Sequence, residues 1–209
     1  MKIAVLGWGS LIWCPGILRI KTKWRSDGPV LPVEFARISR DGRVTLVILP
    51  GAKGQPVYWA VSEFDDLGAA RRNLKEREGC ALKDIHSLPA ADKTSGKVSA
   101  TVTRSVRGWL AARKQVDAVI WTGLTTNWQE KRHQKFTSED AVRYLKGLES
   151  ERDRSATTFG RAQEYVMNTP ALIQTKVRRA MQKEGWKDTV LSKTFFEDYS
   201  QAASSPITR

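Results

Sequence analysis

An α+β fold is expected from this chain of 209 residues, with strands first and helices later. Three observations predict it. Apolar, β-favouring runs crowd the first third: Ile3-Ala4-Val5-Leu6, residues 30–39, residues 43–49 and residues 56–61. The turn Arg40-Asp41-Gly42 between two of these runs carries the Asp-Gly signal of a β-hairpin. Beyond Ser62 the apolar residues recur at helical spacing behind capping residues. Strands joined by short turns point to a mainly antiparallel sheet or a small barrel, with helices packed over it.

Each element follows from local chemistry. Pro50-Gly51 ends the second hairpin strand. Ser62 with Asp65 resembles a capping box, Phe64, Leu67, Ala70 and Leu74 form one helical face, and Gly79 suits the stop. A polar stretch over 90–96 predicts a loop, and strands are expected at 98–103 and 117–122. Thr137 with Asp140 caps a helix carrying Ala141, Val142, Leu145 and Leu148. A last helix is expected from Thr169 as N-cap and Pro170, with Leu172, Ile173, Val177, Ala180 and Met181 inward and Gly185 ending it.

Composition narrows the function classes. At 41% hydrophobic content the chain can bury one full core, and no repeat or Gly/Ser linker divides it. A single domain over 1–209 is expected, with a loose tail from about residue 200. No stretch approaches the ~20 apolar residues of a membrane span, and the N-terminus lacks a signal-peptide pattern. Cys14 and Cys80 fit no metal spacing and suit reduced thiols, so a cytoplasmic protein is expected; Cys14, before Pro15, is read as a packing residue. His86 and His133 lie among polar residues, two histidines are too few for a His-rich metal site, and no metal is expected. Most of the eight tryptophans sit in apolar runs and belong to the core. A net charge of +13 attracts acidic partners, but it is scattered, and no zinc-finger, RNA-binding or basic-zipper pattern accompanies it.

Two segments carry candidate chemistry. In Gly7-Trp8-Gly9-Ser10-Leu11-Ile12-Trp13 a strand ends in a Gly/Ser elbow, which leaves backbone N–H groups free and lets another group approach the main chain. It is not a dinucleotide fingerprint, because Ile12 stands where the third glycine belongs and Pro15-Gly16 blocks the helix. Nor is it the hydrolase Gly-x-Ser-x-Gly, so Ser10 is read as a hydrogen-bonding anchor. In Leu74-Lys75-Glu76-Arg77-Glu78-Gly79 the Glu78 carboxylate falls in the last helical turn, where the backbone dipole disfavours an anion. Arg72 can pair with Glu76, in the weaker orientation. A carboxylate in such a position takes up a proton readily and can return it.

The elbow, the Leu74-x-x-Arg77-Glu78 segment, and Gly160-x-x-x-x-Tyr165 followed by Gly185-Trp186-Lys187-Asp188 and Leu191 occur in an informative order. Together they resemble the γ-glutamylcyclotransferase-like family, and most closely its ChaC-like branch, whose elbow also continues with a Trp and a Pro (Trp13 and Pro15). Trp8 replaces the family's elbow Tyr, Ala162 replaces an Asn, and residues 87–115 have no counterpart. The resemblance implies a mixed β-barrel with surrounding helices and cyclisation of a γ-glutamyl amide or peptide to 5-oxoproline with release of the amine. Glu78 would be the catalytic base and acid. The N–H groups of Gly9, Ser10 and Leu11 would hold the substrate carboxylate, Trp8 would wall the pocket, and Tyr165 would add a phenolic hydrogen bond. No metal or cofactor is implied. Two other readings stay open: a diverged, non-catalytic member binding a small acidic ligand, and a basic nucleic-acid-associated protein.

Overall fold

The computed structural model describes residues 1–89, 98–150 and 156–187. Its centre is a four-stranded sheet in the order β6-β1-β8-β7, formed by β1 (Ile3–Gly7), β6 (Tyr58–Val61), β7 (Ile85–Leu88) and β8 (Ala118–Thr122). β1 runs antiparallel to β6 and parallel to β8, and β7 runs antiparallel to β8, so the sheet is mixed with its antiparallel pairings in the majority, as expected. A strand with neighbours on both edges and layers on both faces reads as a continuous apolar run. That is why all five residues of both β1 and β8 are buried. Ala4 and Leu6 face a core holding Phe35, Trp59, Trp109 and Tyr165, whereas Ile3 and Val5 face Leu74, Ile85 and Ile120 on the other side.

The expected strand over 30–39 is broken by Pro32, which cannot donate to a ladder. β2 (Val30–Leu31) pairs with β5 (Gln55–Pro56), and β3 (Val33–Ile38) forms the predicted hairpin with β4 (Val44–Ile48). The class is therefore α+β with small mixed sheets. Among the described residues the hydrogen-bonded ladders stay open and do not close into a barrel.

Helix α1 (Leu67–Glu78) stops at Gly79 as expected, with φ 60°. It starts later than expected: Asp66 accepts the Ala69 N–H at 2.8 Å, while the Ser62 hydroxyl only closes a turn onto Phe64. Arg72 lies 3.9 Å from Asp66 rather than pairing with Glu76. The strand expected over 98–103 is instead the start of α2 (Ala100–Ala111). Ser99 caps it, and Val102, Val106 and Trp109 make a buried stripe with helical spacing. Val98, Ala100 and Val102 alternate over a window too short to distinguish the two periods.

After the short α3 (Trp128–Arg132), α4 (Ser138–Ser150) begins as predicted, with Thr137 Oγ1 accepting the Asp140 N–H at 3.1 Å. α5 (Ala156–Asn168) was not anticipated, and α6 (Lys176–Lys183) starts at a Thr175 cap, not at Thr169. Thr169 closes α5 instead, its hydroxyl donating to the Tyr165 carbonyl at 3.0 Å. Buried Arg178 donates to Pro170 O and Ile173 O and ties the intervening turn, which leaves Leu172 half exposed. Ile173, Val177 and Met181 are buried as predicted, and Gly185 follows the helix at φ 94°. Six tryptophans, at 8, 59, 109, 121, 128 and 186, are core residues. Among the described residues no helix is long and apolar enough to cross a membrane. The polar stretch at 90–96, Asp188, Leu191 and the tail from 200 lie outside the described residues.

Candidate functional site

The elbow and Glu78, 67 or more residues apart in sequence, open onto one cavity of about 790 Å³. Trp8, Gly9, Ser10, Leu11, Glu78 and Tyr165 all line it. β1 delivers the elbow to its end, α1 delivers Glu78 as its last residue, and α5 brings Tyr165 across from the far side of the core.

Arg77 joins the first two parts. Its guanidinium donates to Pro15 O at 2.9 Å, Cys14 O at 2.7 Å and Ser10 Oγ at 3.2 Å, and meets Glu78 Oε1 at 3.3 Å. The elbow is a compact turn, with Ile12 N–H on Gly9 O and Cys14 N–H on Ser10 O. The Cys14 side chain is exposed, contrary to its expected packing role, because its carbonyl rather than its thiol is turned towards Arg77. Burial raises the Glu78 carboxyl above its ordinary pKa of 4.5, and the Arg77 charge opposes this only in part.

Tyr165 changes the reading of the elbow glycines. A Cβ on Gly9 would collide with the Tyr165 hydroxyl, and one on Gly7 would stand 2.8 Å from the Trp24 ring. The close approach that glycine permits is therefore used by the protein's own rings. Burial, with the Glu78 charge adding to it, pushes the Tyr165 phenol up to about 12, while the N–H groups of Ser10 and Leu46 directed at it act the other way. Of the three N–H groups expected to form a cradle, Ser10's is the one directed at Tyr165. Those of Gly9 and Leu11 meet no acceptor among the described residues. Trp13 and Phe35 pack edge-on against the Tyr165 ring with centroids at 5.3 and 6.2 Å, and the Arg43 guanidinium lies over it at 5.5 Å. Trp8 is buried, its indole N–H donating to Leu46 O at 3.3 Å, so it contributes a wall and no free donor. Ala162 is wholly buried and supplies only packing.

Several lining residues escaped the sequence reading. The hairpin tip brings Arg37, Arg40 and Asp41 to the cavity, and α3 brings Lys131. Asp41 is held below the usual carboxylate range by hydrogen bonds from Ser39 and Arg43 and by the Arg43 charge, which outweigh the opposite effect of burial. A turn written Arg-Ile-Ser-Arg-Asp-Gly-Arg is unusually charged for a hairpin, and that density was the available signal. The Thr122 hydroxyl, also on the cavity wall, has no partner among the described residues. His86 is buried against Trp121 rather than among polar residues, because β7 pairs it with that strand neighbour; burial lowers its pKa. His133 is exposed at φ 59° at the end of α3.

A Gly9→Ala substitution is expected to cost roughly 1–3 kcal/mol in chemical denaturation, the usual scale of overpacking. Most of that loss should vanish in a Tyr165→Phe background, since the obstruction is the hydroxyl; an equal cost in both backgrounds contradicts the assigned contact. Because the folded-state pKa of Glu78 is raised, its ionisation opposes folding: the penalty is absent below 4.5, grows as pH rises through the folded pKa, and is complete above it. Glu78→Gln should therefore unfold at a higher temperature than wild type at pH 7–8, with the gap closing towards pH 4.5. A gap independent of pH contradicts the assignment.

Comparison of the chain with protein-family models, curated proteins and solved structures finds no match.

Proposed function

We propose that the protein is a γ-glutamylcyclotransferase-like enzyme that converts a γ-glutamyl amide or peptide to 5-oxoproline and a free amine. The observation that carries this reading is the meeting of a buried, hard-to-ionise carboxylate, Glu78, with a glycine-rich turn holding two uncommitted N–H groups in one cavity. The reading includes the family's barrel, of which the three ladders would be segments, and a cytoplasmic setting.

The chemistry asks little of the protein. The substrate's α-carboxylate is gripped by the N–H groups of Gly9 and Leu11, which bends the glutamyl chain so that its α-nitrogen lies against its own γ-carbonyl. Glu78 takes a proton from the α-ammonium, and its raised pKa favours that transfer. The freed amine forms the new C–N bond to the carbon of the γ-carbonyl. Collapse of the tetrahedral intermediate breaks the old amide bond as Glu78 returns that proton to the departing nitrogen. The ring nitrogen's second proton follows by the same carboxylate, so the amine leaves as its ammonium form and the lactam keeps one N–H. No water is consumed and no group beyond this chain's own residues is required. Ser10 acts through its Oγ, held on Arg77, with its N–H directed at Tyr165 rather than serving as a third donor to the carboxylate. The Tyr165 phenol, un-ionised at neutral pH, donates towards the substrate, and Trp8 closes the wall.

Incubation with a panel of γ-glutamyl amides, amino acids and peptides should release 5-oxoproline, measured chromatographically. Glu78→Gln should lower the rate by about 10²–10⁴-fold, the usual contribution of a general base. Turnover that survives Glu78→Gln removes Glu78 from the mechanism. Absence of turnover on every compound, with 5-oxoproline or glutamate still binding in the cavity, assigns the site to a non-catalytic acid binder.

A further inference from the structure

The chain's net charge of +13 is not explained by the cavity, whose lining carries five basic and four acidic side chains. The excess lies elsewhere. Residues 19–25 run along the outer edge of β6, with Lys21 N–H on Val61 O at 2.7 Å and reciprocal bonds between Arg25 and Trp59 at 2.8 and 3.0 Å. Along this edge Arg19, Lys21, Lys23 and Arg25 are exposed, while Ile20, Thr22 and Trp24 turn inward. No acidic residue interrupts the row.

Beside it lies a second cavity of about 220 Å³, with Trp59 and Val61 in its lining and Lys2, Lys21 and Arg25 around it. Among the described residues no carboxylate lines it. Lys2 and Lys21 form no ion pair among the described residues, and the Arg25 guanidinium rests over the Trp59 ring at 5.1 Å. Nearby carboxylates are already committed: Glu63 to Arg19 at 2.8 Å, Asp27 to Arg113 at 2.8 Å and Asp117 to the Lys2 backbone N–H at 2.6 Å. Lys2, Lys21 and Arg25 border this apolar notch and add their charges to the positive potential along the edge.

We infer that this edge binds the sugar–phosphate backbone of a nucleic acid, one phosphate seating by Lys2, Lys21 and Arg25 and a neighbouring phosphate meeting Lys23. A row of cations matches a polymer with a charge on every repeat better than it matches a single small anion. It matches a membrane surface poorly, because Ile20 and Trp24, the apolar residues within the row, are turned away from solvent. A row of cations meeting phosphates recognises the backbone and is independent of sequence. This surface is separate from the Glu78 cavity and stands or falls independently of the cyclisation.

Fluorescence anisotropy with a labelled 20-nucleotide single strand and the matching duplex tests it. With about four phosphate contacts, duplex affinity should fall roughly a hundredfold between 50 and 200 mM salt. The double variant Lys21→Gln/Arg25→Gln should reduce the logarithmic salt slope by about two, with 5-oxoproline release unchanged. Lys21→Gln/Lys23→Gln, which leaves the Arg25–Trp59 stack intact, should weaken binding in the same direction with an unaltered circular dichroism spectrum. No binding at 50 mM salt, binding indifferent to both variants, or tighter binding to phosphatidylserine vesicles than to either nucleic acid would overturn the inference.

Discussion

The site depends on one guanidinium. Arg77 stands in the last turn of α1 and reaches out of the helix to three acceptors in the loop that follows β1, while its remaining nitrogen meets Glu78. Without that reach the elbow and the carboxylate would belong to separate layers of the fold. The pair is poorly exposed, Arg77 by 16% and Glu78 by 19% of their side-chain surfaces, so hydration cannot replace these contacts. A half-satisfied guanidinium in such a place is costly, and satisfying it on the loop carbonyls fixes the loop's path.

The rest of α1 is arranged to hold Arg77 in register. Asn73 accepts the Arg19 N–H at 2.9 Å and donates to Ile17 O at 2.9 Å, anchoring the chain just after the elbow. Buried Arg71 donates to Ile85 O and so fixes the helix to the start of β7. Leu74 fills the core beneath the sheet. The helix ends one residue after Arg77 because Gly79 adopts the left-handed conformation, which leaves Glu78 at the negative end of the helix dipole and facing the cavity. Stability is given up there: a buried carboxylate at a helix C-terminus with one imperfect partner is the kind of local conflict expected where chemistry is done.

What could be read from the sequence was whatever local chemistry decides. β1, β8 and the Asp-Gly hairpin follow from apolar runs and a turn that only a few residue types permit. Glu78 was found because its position violates a helix rule, and the elbow because two glycines interrupt an apolar segment. The misreadings arose where tertiary packing decides. Residues 98–103 alternate over too few positions to betray the helix that Trp109 completes, its indole N–H on Asp27 O. Thr169 and Thr175 are both plausible caps, and buried Arg178, holding the turn between them, selects the second. The role of Gly9 was invisible for the same reason: the hydroxyl that needs its missing Cβ belongs to Tyr165, on a helix that sequence periodicity did not disclose. The charged hairpin tip joins the cavity on a hairpin whose β4 packs against α5.

Hydrogen exchange on an Arg77→Met variant bears most directly on this account. Methionine keeps much of the apolar stem and removes every guanidinium contact to residues 10–15. The Ile12 and Cys14 amides, which close the elbow onto Gly9 and Ser10, should then exchange at least about tenfold faster, while the amides of α1 between Ala70 and Leu74 keep their protection. Elbow amides that stay as protected as in the wild type would show that the turn holds itself, and that Arg77 is not what joins it to Glu78.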